Sequence, residues 1–196
     1  MRSDTYHHGD LRNALLREAS RLLEAEGVEA VTLRALARNL DVSHAAPRHH
    51  VGTRMLLLAE LAADGYTTLA DALEMALDRL PEGEWRSGAG QVYLRFALDN
   101  PERYRLMFSS RRILGDQCPE RLDQAALRAF LLLQRAIGQT NLTWSPGDGM
   151  TSETVGPWFV VHGAAMLWLD GQLKPYVAEA DFLEMATATL ASITPP

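Results

Sequence analysis

A chain of 196 residues is long enough for one large or two small domains around a substantial core. Its 47% apolar content excludes a disordered chain, and its single cysteine, Cys118, excludes an intramolecular disulfide framework and fits a reducing cytoplasm. The net charge of −6 alone argues against nucleic acid, yet residues 1–54 carry +1 with five of the six histidines, and the remainder carries −7. A near-neutral head on an acidic body suits a protein that touches DNA through one end only.

The hydrophobic pattern predicts helices throughout, with no convincing period-two runs. The first starts near Gly9 or Asp10, with Asp10 as its cap. Leu11, Leu15, Ala19, Leu22 and Leu23 line its buried face, and Gly27 closes it. Residues 32–51 read as two short helices around a tight turn. Thr32 is placed to cap the first, and Leu33, Leu36, Ala37 and Leu40 form its apolar stripe. Asp41 and Val42 break the pattern, and Asp tolerates the left-handed backbone that a sharp turn needs. Ser43 is the cap candidate for the second helix, HAAPRHHV.

A fourth helix begins at Thr53 and runs to about Leu80, ending at Pro81-Glu82-Gly83. A helix that long carries a domain boundary inside it. The fifth covers roughly 84–98, and Pro101 opens the sixth at a favoured first-turn position. RRILGDQCP reads as a loop, Pro119 opens a helix running to about Thr140, and TWSPGDGMTS is a turn-rich loop. The last two helices cover 152–173 and 178–192. The N-terminus, MRSDTYHHGD, is polar and not a secretory signal. The longest apolar stretch, 158–169, is about twelve residues, short of the roughly twenty that span a bilayer.

The residues Tyr6-His7-His8-Gly9-Asp10-Leu11-Arg12, then Ala19, Leu22, Gly27, Thr32, Leu33, Ala37, Val42, the SHAAP at 43–47 and the Leu56-Leu57 pair resemble the N-terminal part of TetR-type transcriptional regulators. NPERYRLMF at 100–108 and WFVVHGAAMLWLDGQL at 158–173 are similar to segments in one branch of that family. The resemblance implies a three-helix, helix-turn-helix DNA-binding domain over 1–52 and a helical effector-binding and dimerisation domain over 53–196. The recognition helix departs from the family. Arg48, His49, His50 and Val51 stand where Tyr, a basic residue and His-Phe are usual. Asp41 replaces the turn glycine, and Arg54 replaces the lysine of the next helix. The Tyr and Lys positions hold phosphates in the family, a task arginine also performs, bidentately.

On pattern alone the helix pair reads as a helix-turn-helix or as an ordinary helical hairpin; the resemblance selects the first. Ser43, His44 and Ala45 then sit where groove-reading residues belong, and alanine meets a thymine methyl. Thr32 and Arg34 are placed to hold phosphates, as are Arg48 and Arg54. Thr53 caps a helix whose amides attract one. His49 and His50 read either as polar contacts to DNA or as simply solvated, and protonation of the histidines would strengthen DNA binding as pH falls. Their spacing does not suit a metal, which wants i,i+4 pairs with a third ligand.

His162 reads either as a core histidine with one hydrogen bond or as a pocket residue that orients a ligand. Trp158, Tyr104, Met107 and Phe108 supply bulky walls with it. Val161, Ala164, Ala165, Trp168 and Leu169, with Phe182, Met185, Ala186 and Leu190, make two apolar faces. These are either internal core or a four-helix contact with a second subunit. No nucleophile elbow, phosphate loop or HExxH motif points to an enzyme, and no cofactor or membrane association is implied. The expectation is an all-α, cytoplasmic, homodimeric repressor. It would bind a near-palindromic double-stranded operator and answer to a small hydrophobic or aromatic effector. In the family the effector tilts the fourth helix and alters the spacing of the recognition helices. The alternative is a helical ligand sensor or protein-interaction module with degenerate DNA recognition.

Overall fold

The computed structural model describes residues 8–114, 118–138 and 152–192. Among these, every element is helical: α1 (His8–Glu26), α2 (Leu33–Asn39), α3 (Ala46–Val51), α4 (Arg54–Arg79), α5 (Trp85–Asp99), α6 (Pro101–Leu114), α7 (Glu120–Ala136), α8 (Ser152–Leu169) and α9 (Glu179–Ser192), with short 3-10 turns at Val28–Ala30 and Glu82–Glu84. The chain packs as two compact units. One comprises residues 1–65 and 102–124, the other 66–101 and 125–196. The division falls inside α4.

The first unit is built on α1. Leu15, Ala19, Leu22 and Leu23 are buried along its inner face, with Leu36 and Ala37 of α2, Val51 of α3 and Leu57, Leu58 and Leu61 of α4. Gly27 follows α1 with φ +82° and donates its N–H to the Leu23 carbonyl at 2.9 Å, the helix-ending role its position implied. Glu18 ties the first two helices together. Its carboxylate accepts from Arg21 and, at 2.8 Å, from Asn39 at the end of α2. The Arg21 bond, then the Asn39 bond, hold it down at about 2 from its ordinary 4.5. Gly65 of α4 faces α6: a Cβ there would lie 2.7 Å from the Met107 sulfur, so the Met107 side chain would have to shift to admit one.

The turn between α2 and α3 is a Schellman motif. Asp41 has φ +52°, the only positive φ outside glycine among the described residues. The Asp41 N–H reaches the Arg38 carbonyl at 3.3 Å and the Val42 N–H reaches the Ala37 carbonyl at 3.0 Å. The expected left-handed aspartate is therefore present. Ser43 is not the expected helix cap. Its carbonyl instead accepts the Ala46 N–H at 3.0 Å in a preceding turn, and α3 begins at Ala46 with Ala45 before it. Pro47, fixed in φ, sits in the first turn where no helical N–H is needed.

In the second unit α5 packs against both α8 and α9. Tyr93, Leu94 and Ala97 are buried with Leu69 and Leu73 of α4. Gly90 of α5 lies under the Leu190 side chain of α9, so the two helices approach closely there and a Cβ would require the leucine to shift. Trp168 stacks on Phe182 with centroids 4.5 Å apart. That contact settles most of the two apolar faces. Val161, Ala165, Trp168, Phe182, Ala186 and Leu190 are core of this unit, Ala164 and Leu169 are half-buried, and only Met185 is well exposed. Residues 159–169 are apolar nearly all round, so spacing alone did not say which side turns inward.

Several helix ends also differ. α1 begins at His8, so Asp10 lies inside its first turn. α6 extends through Leu114, taking in part of the expected loop. α7 ends at Ala136, and residues 139–151, with most of TWSPGDGMTS, lie outside the described residues. α8 stops at Leu169 because Gly171, φ +76°, closes a second Schellman motif with Gln172 donating to Leu167 at 2.9 Å.

A left-handed backbone costs a non-glycine residue about 1–2 kcal/mol, somewhat less for aspartate. Asp41→Gly is therefore expected to stabilise the protein by about 0.5–1 kcal/mol, and Asp41→Val to destabilise it by more than that. Thermal unfolding reads both. Equal midpoints for the two variants would show that the turn stores no strain.

Candidate nucleic-acid interface

The α2–α3 pair presents one polar face. Thr32 caps α2 as its position implied, accepting the Ala35 N–H at 3.1 Å, and Arg34 stands exposed in the first turn. Ser43, His44, Ala45, Arg48 and His49 are all exposed, while Pro47 and Val51 face the core. No hydrogen bond or ion pair within the described residues occupies the side chains of Arg34, His44, Arg48 or His49. Thr53 caps α4, accepting the Leu56 N–H at 3.2 Å, which leaves other first-turn amides of this long helix directed outward.

Two predicted residues lie apart from this face. His50 is half-buried and lines a cleft of about 190 Å³ with Arg12, Leu56, Glu60, Arg121 and Leu122. Arg54 turns its guanidinium into the protein. Nε donates to the Val31 carbonyl at 2.8 Å and Nη2 to the Val28 carbonyl at 2.7 Å, with Glu29 at 3.4 Å. The fork thereby ties the start of α4 to the turn that leads into α2. No residue pattern signals this tie, because the acceptors are backbone atoms.

The five predicted effector residues divide between the units. Tyr104 and Met107 are fully buried in the first, where Phe108 lies 4.8 Å from the Tyr104 ring. Trp158 and His162 are in the second, their rings 5.6 Å apart. Tyr93, which the sequence did not single out, joins them. Trp158 Nε1 donates to the Tyr93 hydroxyl at 3.2 Å, and that hydroxyl lies 3.2 Å from His162 Nδ1. Indole is a donor only, so the tyrosine oxygen accepts from it, and the hydroxyl–Nδ1 contact fits a bond in either direction, set by the imidazole tautomer. Burial lowers the His162 pKa and favours the neutral imidazole. Beside Trp158 a small, largely apolar space, lined also by Ala89, Gly90, Leu133 and Gln134, measures about 20 Å³, room for one water. A larger, open groove of about 750 Å³ runs past Arg95, Phe96, Asp99, Leu183 and Glu184. No described helix is long and apolar enough to cross a membrane.

A short exposed helix behind a tight turn, carried on an all-helical scaffold with a second helical unit, defines the helix-turn-helix class of regulators. Residues 87–191 match the tetracyclin repressor-like C-terminal domain. The chain belongs to the tetracyclin repressor-like, or TetR, family of transcriptional regulators. A solved protein of unknown function from Rhodococcus sp. RHA1 is 30% identical, with a TM-score of 0.77 over 96% of this chain and 97% of that one. The TetR family regulator PfmR from Thermus thermophilus shares the fold at 19% identity, with a TM-score of 0.58 over 90% of this chain and 94% of that one. The HTH-type transcriptional regulator Rv1816 of Mycobacterium tuberculosis is 32% identical over 93 residues, 46% of this chain and 40% of that protein. YobS of Bacillus subtilis, an uncharacterized HTH-type regulator, is 26% identical over 96 residues, 49% of this chain and 50% of that protein. The chain thus spans only about half or less of the curated relatives it matches.

Removing the Arg54 fork leaves the Val31 carbonyl without its side-chain donor and the Val28 carbonyl with only the 3.3 Å bond from the Val31 N–H, a loss of about 1–2 kcal/mol. Arg54→Ala is expected to lower the unfolding midpoint by roughly 2–6 °C, and Arg54→Lys by nearly as much, since an ammonium lacks the fork geometry. A midpoint unchanged in the alanine variant would mean that water replaces the fork at no cost.

Proposed function

We propose that the protein is a homodimeric transcriptional repressor that binds a near-palindromic DNA operator and is released by a small hydrophobic or aromatic effector. The observation that carries this reading is the exposed, internally unsatisfied polar face of α3, with Arg48 and His49 at its end. Arg34, Arg48 and the α4 N-terminus beside Thr53 serve as phosphate anchors, and Ser43, His44 and Ala45 approach base edges. Arg54 contributes by fixing the start of α4. The tasks divide as 1–52 for DNA and 53–196 for effector and dimer, although 53–65 and 102–124 pack with the DNA-binding helices. The reading is non-enzymatic and cytoplasmic, in keeping with a family of transcriptional regulators.

Dimerisation is supported by α8 and α9. Phe159 is 63% exposed, Leu167 49% and Met185 45%, and a Cβ on Gly163 would meet nothing within 4 Å. Phe159, Gly163 and Leu167 fall at i, i+4 and i+8, one apolar stripe along α8. Such a stripe on a folded unit calls for a partner. A twofold axis would set two α3 helices roughly 34–36 Å apart, one turn of DNA. The effector site centres on Trp158 and His162, which the Tyr93 hydroxyl holds together. Tyr104, Met107 and Phe108 take a supporting part, through the packing of α6.

Selection of bound fragments from the source genome, followed by titration at two salt concentrations, tests the reading. The expected result is one near-palindromic site with affinity falling steeply with salt. A folded dimer that enriches no site would favour a ligand sensor instead. Independently, Leu167→Glu is expected to convert a dimer to a folded monomer by sedimentation while leaving secondary structure intact. A dimer that survives this change, or a wild-type monomer, would put the interface elsewhere or remove it.

A further inference from the structure

On the α3 face the residues do not share one role, and their angular positions separate them. Each helical residue advances about 100°. Pro47 and Val51, both buried, mark the inward direction. His49 then lies opposite it and Ala45 within about 40° of His49, whereas Arg48 and His50 lie about 80° to either side of the inward line. Exposure agrees with this. Ala45 and His49 are exposed, Arg48 is exposed on one flank, and His50 on the other flank is only half-buried, beside Arg12. Ala45 has helical φ −81° and ψ −26°, so the face extends back to it without a break.

We infer that His49 is a base-reading residue, that it acts in line with Ala45, and that Arg48 holds the backbone at the edge of the groove. This inference rests on the DNA-binding reading above. The outermost line of a recognition helix meets the floor of the major groove and its flanks meet the phosphate walls. An imidazole in the groove offers an N–H donor, and guanine presents two adjacent acceptors, N7 and O6. The alanine methyl suits the 5-methyl of thymine. Four residues of helix separate the two side chains by about 6 Å, close to two base-pair steps. The half-site is therefore expected to carry a thymine and a guanine about two steps apart. The His49 side chain has no hydrogen-bond or ion-pair partner among the described residues, so reading a base breaks no contact within the protein.

The test uses the full chain and duplexes carrying the selected operator. Each guanine is replaced in turn by 7-deazaguanine, which lacks N7, and each thymine by uracil, which lacks the methyl. For the wild type, one 7-deazaguanine per half-site is expected to weaken binding by about 5- to 30-fold. His49→Ala is expected to abolish that penalty while leaving the uracil penalty and the salt slope unchanged. Arg48→Ala is expected to weaken all duplexes alike and to reduce the salt slope by about one, with both base penalties kept. Unfolding midpoints equal to wild type show that both surface variants fold. The inference is overturned if His49→Ala weakens every duplex uniformly, if the 7-deazaguanine penalty survives it, or if that penalty is lost in Arg48→Ala instead. A wild-type protein that binds DNA with no base preference would overturn this inference and leave non-specific DNA binding standing. No DNA binding at all would overturn both.

Discussion

The backbone at Asp41 turns left-handed, and the two hydrogen bonds that close around it decide where α3 points. An α-helix ends with carbonyls that need donors. Here the Asp41 and Val42 amides supply them to Arg38 and Ala37, so the chain reverses direction within residues 40–45. The reversal lets Pro47 and Val51 reach the core of the first unit, and their burial turns the opposite side of α3 outward. A residue unable to adopt φ +52° would lengthen the turn and rotate that face. The exposed set Ala45, Arg48 and His49 is thus a consequence of one backbone dihedral and two buried side chains.

Ties of different worth hold this headpiece. Arg54 satisfies two backbone carbonyls and Glu18 binds across to Asn39, and both link segments distant in sequence. Arg103 of α6 does the same for α1, bonding Glu24 at 3.1 Å and the Ser20 hydroxyl. The arginines of α7 are different. Arg121 meets Glu60 and Asp64, Arg128 meets Asp71 and Glu74, and Arg135 faces Asp78, one pairing every seven residues along α7. These pairs are largely exposed, and such pairs contribute little individually in water. Their regular spacing serves register between α7 and α4 more than stability. It also explains how an acidic body tolerates so many carboxylates on α4.

Sequence showed the parts of this architecture that local chemistry dictates. Gly27, Thr32, Asp41 and Thr53 each occupy the cap or turn position their residue type suits, because caps are satisfied within three or four residues. The motif at 43–47 pointed to the helix pair for the same reason, and the family match extends to the C-terminal residues. What stayed hidden was settled by contacts across the chain. The Arg54 fork ends on carbonyls, which no sequence pattern marks. Tyr93 joins Trp158 and His162 from a helix more than sixty residues away. The faces of α8 were ambiguous because apolar residues surround it, and only the Trp168–Phe182 stack decides which side is core.

Among the described residues, the space beside Trp158 in the second unit is too small for an effector as it stands. It measures about 20 Å³, whereas pockets for small ligands measure roughly 300–1,000 Å³. Taking up a ligand there means moving side chains, and the arrangement favours one motion over others. α5 and α9 approach closely at Gly90, which lies under the Leu190 side chain, so sliding them apart exposes both. α8 instead carries Gly156 and Gly163 with nothing over them and holds Trp158 through an indole hydrogen bond to Tyr93. A shift of α8 disturbs that bond and the apolar stripe of Phe159 and Leu167 together, because all three residues lie within three turns of one helix. Effector uptake and the proposed subunit contact would therefore be coupled through α8, and a ligand shifts such an equilibrium only by its difference in affinity for the two arrangements.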